Sequence, residues 1–344
     1  MKKELSELDK KILYELDQEG RESFARIAKT IGTTTQVVKY HYDKLIDSGV
    51  IKHFWAFVDY DKAGYSFFWG YWLKFSGLTK EAEEEMYADF KTNGHIPIVM
   101  RCDGYADALL GIIGKDISHH NKVLEDVFAK YGKYITMSDI VVGLGFIKFP
   151  RSYLIGKENK VGSFVVSGST EKIKNLSEVD KKIISLLQED GRMDFTQIAK
   201  ILGVSVGLVH KHYYNLVEKG VITKITYTLD YEKIGMVFYR VLFKIIQYNK
   251  EEIDRLYKFC ELHPNIINYV KVMGDWQLIL DVEIESRDKL RDMLRQIKND
   301  FRSIVYQIEI NEIYKIDKFT QMAVEYPELG KPKQHTYPIP NIEK

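Results

Sequence analysis

Two short polar runs carry side chains suited to reading nucleic-acid bases. Thr34, Thr35, Gln36, Lys39, Tyr40 and His41 form the first, and Ser205, His210, Lys211 and His212 the second. Gln can pair with adenine, Thr can meet a thymine methyl, and Lys can take guanine or phosphate. Such groups read base edges when they project from the first turns of one helix into a groove. The second run has fewer polar reading groups and, with Val206 and Gly207 in place of Thr35 and Gln36, leans more on phosphate and shape. The competing reading is a solvated helix face, which exposed Thr, Gln and Lys usually mark. His41 and His212 recur at one site, where groove contact and helix packing are both open.

Other chemistry is poorly represented. His119-His120 has no third ligand, so no metal site is expected. Gly143-Leu144-Gly145 lacks the third glycine and following helix of a dinucleotide loop. No Ser-His-Asp or Cys-His arrangement can be read, and no cofactor is implied. Cys102 and Cys260 lie far apart without metal spacing, which fits a reducing compartment.

The elements that must position the two runs come from an internal duplication. Residues 5–64 align on 176–235 without gaps, with about 26 of 60 positions identical. LSELDKKI recurs as LSEVDKKI, and Gly49-Val50-Ile51 as Gly220-Val221-Ile222. Ser6 and Ser177 start a first helix with an acid three residues on, a capping-box pattern. Leu8, Ile12, Leu13 and Leu16 keep helical spacing, as do Val179, Ile183, Ile184 and Leu187. A second helix ends at Gly32 or Gly203, and a third begins at Thr34 or Ser205. Two helices joined by a glycine-containing turn are the helix-turn-helix plan. The extended runs HFWAFVDY and KITYTLDY then read as a strand or wing and a connector.

The rest of each repeat reads β-α-β-β-α-β. The fold class expected is α+β, with two winged-type helix-turn-helix domains alternating with two ferredoxin-like βαββαβ domains. The segments are 1–60 and 61–150, a linker 151–175 with one short strand at 163–166, then 176–231 and 232–320. Aromatic strands such as Tyr65–Trp72 call for cover, and the two sheets are expected to pair face to face. Residues 321–344 hold four of the seven prolines from 325 onward and read as an irregular tail.

Composition bounds the rest. In 344 residues, 50 Lys and Arg face 49 Asp and Glu, so bulk positive charge cannot be the means of gripping nucleic acid or membrane. No apolar run approaches the ~18–20 residues of a bilayer span, and the start lacks a signal-peptide pattern. A cytoplasmic protein is expected. Lys10, Lys11, Arg21, Arg26, Lys181, Lys182 and Arg192 are candidates to line phosphates.

The head pattern LSELDKKIL with IAK and a closing SG-V-I, followed by the β-α-β-β-α-β order, resembles the leucine-responsive and asparagine-linked (Lrp/AsnC) transcription regulators. The resemblance covers nearly the whole chain, twice. It implies binding of double-stranded DNA, an amino-acid-like or other small-molecule effector, and homo-oligomers built through the sheet modules. Gly104-Tyr105-Ala106-Asp107 is similar to the family's Gly-x-x-Asp turn. With its counterpart, it makes Gly104, Asp107, Gly274 and Asp275 the effector candidates, although Gln277 takes the acidic position in the second repeat. His41 and His212 stand where the family often has Arg. Two alternatives remain at this level. One is an assembly or effector-sensing module whose heads no longer bind DNA. The other is a catalytic sheet module, as in haem-pathway decarboxylases of similar architecture, for which the sequence singles out no His/Arg/Tyr cluster.

Overall fold

The computed structural model describes residues 5–65, 67–114, 116–156, 163–167, 176–247 and 249–320. The irregular tail expected at 321–344 and much of the linker lie outside these.

The first head is α1 (Glu7–Gln18), α2 (Phe24–Ile31) and α3 (Thr35–Asp47), followed by β1 (Ile51–Val58). The first sheet segment is β2 (Phe67–Phe75), α4 (Lys80–Thr92), β3 (Ile98–Gly104), β4 (Ala108–Gly114), α5 (Ile117–Tyr131) and β5 (Ile135–Lys148). A short β6 (Phe164–Ser167) lies in the connector. The second head is α6 (Glu178–Glu189), α7 (Phe195–Leu202), α8 (Val206–Glu218) and β7 (Ile222–Leu229). After a single turn, α9 (Tyr231–Ile234), come β8 (Val237–Ile245), α10 (Lys250–Leu262), β9 (Ile266–Gly274), β10 (Leu278–Ile284), α11 (Arg287–Asp300) and β11 (Val305–Phe319).

The helices start where the sequence places caps. Ser6 and Ser177 close full capping boxes with Asp9 and Asp180. Thr34 and Ser205 accept from the backbone amides of Val37 and Leu208.

Two separate ferredoxin-like modules do not form. The strands instead make one continuous sheet, β2-β4-β3-β11-β8-β10-β9-β5, which closes into an eight-stranded barrel because β5 also pairs with β2; β6 adds to β5. The halves meet edge to edge at two seams, β3–β11 and β5–β9, not as two sheets stacked face to face. Strand length is the reason. β5 and β11 span 14 and 15 residues, where the other barrel strands have 7 to 9. β5 therefore pairs with β2 through Ile135–Val142 and with β9 through Val141–Lys148. β11 likewise serves β8 through Val305–Glu312 and β3 through Asn311–Phe319. Closure leaves no free edges at these seams.

Side-chain alternation then sorts the barrel strands. Tyr71, Leu73 and Leu110 face α4 and α5, while Tyr239, Val241 and Leu280 face α10 and α11. Trp72, Leu109, Val141, Leu242 and Ile279, drawn from both halves, meet in the interior.

Candidate nucleic-acid interface

Each head buries one stripe of its helices and leaves the start of its third helix in solvent. Val38 and Leu45 point inward from α3, as do Val209, Tyr213 and Leu216 from α8. Thr34, Thr35, Gln36, Lys39 and Tyr40 are exposed, and so are Ser205, Val206, Gly207, His210 and Lys211. Tyr40 is 66% exposed on the outer face of α3, its ring edge-on to His41 at 5.4 Å between centroids. Lys39 is held by Asp43 at 2.5 Å, one turn on. His210 packs edge-on against Phe195, with 4.5 Å between ring centroids.

His41 and His212 are placed differently from these. Each turns inward and sets its Nδ1 2.7 Å from a carboxylate oxygen, that of Asp9 or Asp180. The same carboxylates close the capping boxes, so each pair ties the third helix to the start of the first. Burial pushes the Asp9 carboxyl up, but His41, Ser6 and Lys44 together hold it below the usual carboxylate range. Asp180 is lowered in the same way by His212 and Ser177. This contact gives the recurrence of the histidines a packing reason.

The heads are locked to each other. β1 and β7 form a two-stranded antiparallel ribbon, with Ala56 opposite Ile225. One apolar core runs through both heads, joining Ile12, Leu16 and Val38 to Ile183, Leu187 and Val209. Arg21 donates to the carbonyls of Gly191 and Met193, and Arg192 to that of Gly20. Lys62 donates to the carbonyl of Lys219 and Lys233 to that of Ser48, the residues that end α8 and α3. Arg21 and Arg192, candidate phosphate contacts in the sequence, are thus engaged between the heads. Lys10 and Lys181 each pair with a glutamate on their own helix.

The effector candidates sit at the two barrel seams. Gly104 and Gly274 both have positive φ, and a Cβ on either would collide with the carbonyl of Ile310 or Ile140 on the opposing long strand. Glycine is needed there for close approach of the backbones. Asp107 accepts from the Phe75 amide at 2.7 Å, while Lys74 donates to the Gly104 carbonyl at 2.9 Å. In the second half Gln277 does both tasks, accepting from the Ile245 amide and donating to the Gly274 carbonyl. The substitution of Gln for Asp is therefore explained by one side chain replacing two. Asp275 accepts from the Ile140 amide across the seam.

Sequence reasoning did not find the buried charges between heads and barrel. Arg151 binds Asp17 of α1 and Glu283 of β10, Lys148 also reaches Asp17, and Tyr153 donates to Glu283. All but Tyr153 are nearly or fully buried. Arg151 lies in what reads as a polar connector, and only its fold neighbours reveal its task. Among the described residues no His/Cys/Asp/Glu group is placed to hold a metal, and no helix is long and apolar enough to cross a membrane.

A pair of capped three-helix heads with exposed third helices defines a helix-turn-helix DNA-binding protein. The winged helix-turn-helix DNA-binding family model matches residues 5–52 and 176–223. The regulator FL11 of Pyrococcus horikoshii, an HTH-type transcriptional regulator, is 32% identical over 122 residues, which are 35% of this chain and 78% of that protein. Its namesake from Pyrococcus furiosus is 29% identical over 125 residues, 36% of this chain and 80% of that protein. The chain belongs to the HTH-type transcriptional regulators, with the head motif present twice. Its role is that of a DNA-binding transcription regulator. Over its whole length the architecture is similar to that of the siroheme decarboxylase NirDL, with a TM-score of 0.60 and 13% identity over 94% of this chain and 96% of that one. At that identity the likeness is one of fold.

Proposed function

We propose that α3 and α8 enter two major-groove segments of one duplex, as a pseudo-symmetric pair whose spacing the β1–β7 ribbon fixes. The supporting observation is that both third helices expose their N-terminal turns while the rest of each head is locked to the other. Thr34, Thr35, Gln36, Lys39 and Tyr40 read bases and backbone on one side, and Ser205, His210 and Lys211 on the other. The heads read different half-sites, separated by about one helical turn, ~34–36 Å. The heads correspond to 1–60 and 176–231, and the strands of 61–150 and 232–320 supply the platform. Two buried free cysteines suit a cytoplasmic regulator.

The seam turns with Gly104, Asp107, Gly274 and Asp275 are proposed to sense an amino-acid-like effector that biases head placement or assembly of several chains. Asp107 is the residue to change first. If Asp107→Ala leaves the affinity of every tested amino acid untouched, these turns serve only the seams.

Selection of duplexes from a random pool by the full chain tests the DNA reading. Two unlike half-sites about one turn apart are expected, with affinity falling steeply as salt rises. Binding without sequence preference, or without salt dependence, would overturn it.

A further inference from the structure

The barrel interior contains a cavity that the DNA-binding reading does not use. It opens to solvent and offers about 630 Å³ outside atoms, solvent included, of which about 60 Å³ admits the centre of a water molecule. Its walls are mainly apolar, with Phe68, Leu109, Val272 and Ile279 among them, but Arg240, Tyr60 and Ser167 also line it. Arg240 lies on β8 between Phe238 and Leu242, both interior residues, and is only 6% exposed.

Arg240 is half engaged. Its Nε and Nη2 donate to the two carboxylate oxygens of Asp281, at 2.6 and 3.2 Å. Nη1 has no hydrogen-bond partner among the described residues. A guanidinium carries five N–H groups, so Nη1 keeps donors to give. Asn311, its neighbour across the β8–β11 ladder, is fully buried and its Nδ2 also lacks a partner.

The fold does not demand these polar groups. In the first half the matching interior positions are Gly70, opposite Gly111 and Val141. In the second half they are Arg240, opposite Asp281 and Asn311. One sequence plan, folded twice in one barrel, has acquired a charge on one wall and glycine on the facing wall.

We propose that this cavity binds a small carboxylate with a branched or aromatic tail, the carboxylate on Arg240 Nη1 and the tail among Phe68, Leu109, Val272 and Ile279. Among the described residues no acidic side chain lines the cavity, so the ammonium of an amino acid would meet only the hydroxyls of Tyr60 and Ser167 and no opposite charge. The ligand class is therefore a 2-oxo acid or an alkyl or aryl monocarboxylate. The site is distinct from the seam turns. Its wall also includes Phe146 and Phe319, which pack against Phe57 and Trp55 of the head ribbon, so an occupant backs the element that holds the heads together.

Calorimetry on the full chain, without DNA, tests this with 3-phenylpropanoate and 4-methyl-2-oxopentanoate, using 3-phenylpropanamide as a neutral twin. One-to-one binding is expected, with the acid at least about tenfold tighter than its amide, because a charge-assisted bond is lost in the amide. The paired change Arg240→Met with Asp281→Leu removes both charges together, a swap that buried ion pairs tolerate. It should abolish the preference for the acid. Should that variant not fold, Ile279→Phe fills the apolar wall and must weaken both acids by about tenfold or more. Three results overturn the proposal: no heat from either acid at about 10 mM, which reaches millimolar affinities; an acid preference that survives the double change; or Ile279→Phe leaving affinity unchanged.

Discussion

Lys233, just past the second head, donates a 3.0 Å hydrogen bond to the carbonyl of Ser48, which ends α3 of the first. Lys62 does the same for Lys219 at the end of α8. Each helix thus has the negative end of its dipole met by a cation from the other repeat. The two heads behave as one body because of such exchanges, not through the sheets alone.

Removing these exchanges should uncouple the heads. Lys62→Ala with Lys233→Ala costs about 0.3–1 kcal/mol per helix end. Adding Arg21→Ala and Arg192→Ala removes hydrogen bonds to charged groups, about 1.5–3 kcal/mol each. Affinity for a duplex with both half-sites should fall by more than affinity for either half-site alone. Fluorescence anisotropy on the two duplex types reads this, and equal losses would show that the lock does not serve DNA binding.

Gln36 and Lys39 should differ in kind. If α3 reads bases as proposed, Gln36→Ala should relax preference at one base pair by about 1–3 kcal/mol. Lys39→Ala should weaken all sequences alike and lower the salt slope by about one. Asp43→Ala, which frees Lys39 from its ion pair, should strengthen binding. Competition binding across a set of point-mutated duplexes and salt concentrations separates these outcomes.

The His–Asp pairs predict an acid-side loss of head stability. Asp9 and Asp180 have carboxyls held below the usual range in the folded protein. Their contribution is present above the unfolded carboxylate value, near ~3.9, and disappears as pH falls through the lower folded value. Asp9→Asn with Asp180→Asn should cost about 0.5–2 kcal/mol of stability per cap at pH 7 and lower Tm there. The gap from the native protein should close in acid. Calorimetric melting between pH 3 and 8 checks this, and a pH-independent gap would count against the carboxylates as the source.

Lys224 gives a slope of the same sign in a higher pH window, but from a penalty rather than a stabilising contact. Burial pulls its amine down to about 7, against the attraction of Asp17. Its Nζ has no hydrogen-bond partner and lies 3.3 Å from the centre of the Phe164 ring. An unfolded lysine keeps its proton to about 10.4, so between 7 and there the unfolded state binds more protons. Stability from this group therefore rises with pH across that window, and the full penalty applies below it. Lys224→Met should add on the order of 1–4 kcal/mol of stability, raise Tm most at pH 7 and below, and flatten the alkaline rise. A lower Tm at pH 6 would show that the charge is wanted.

Which parts of this were legible before folding follows from the range of the interactions. Caps at Ser6, Thr34, Ser177 and Ser205, the apolar spacing of the heads and the exposed faces of α3 and α8 depend on neighbours three or four residues away. The sequence therefore determined them, and the duplication itself showed that one plan is used twice. Other outcomes depend on partners more than a hundred residues distant. Arg21 and Arg192 read as phosphate contacts until the opposing head appears beneath them. Arg151 reads as linker until Asp17 and Glu283 close around it. Two sheet modules read as separate until β5 and β11, twice the usual length, are seen to serve both halves. A strand's length is visible in a sequence, but which edge its overhang will pair with is not. Backbone hydrogen bonding is the same for every candidate edge, and only packing in three dimensions chose these two.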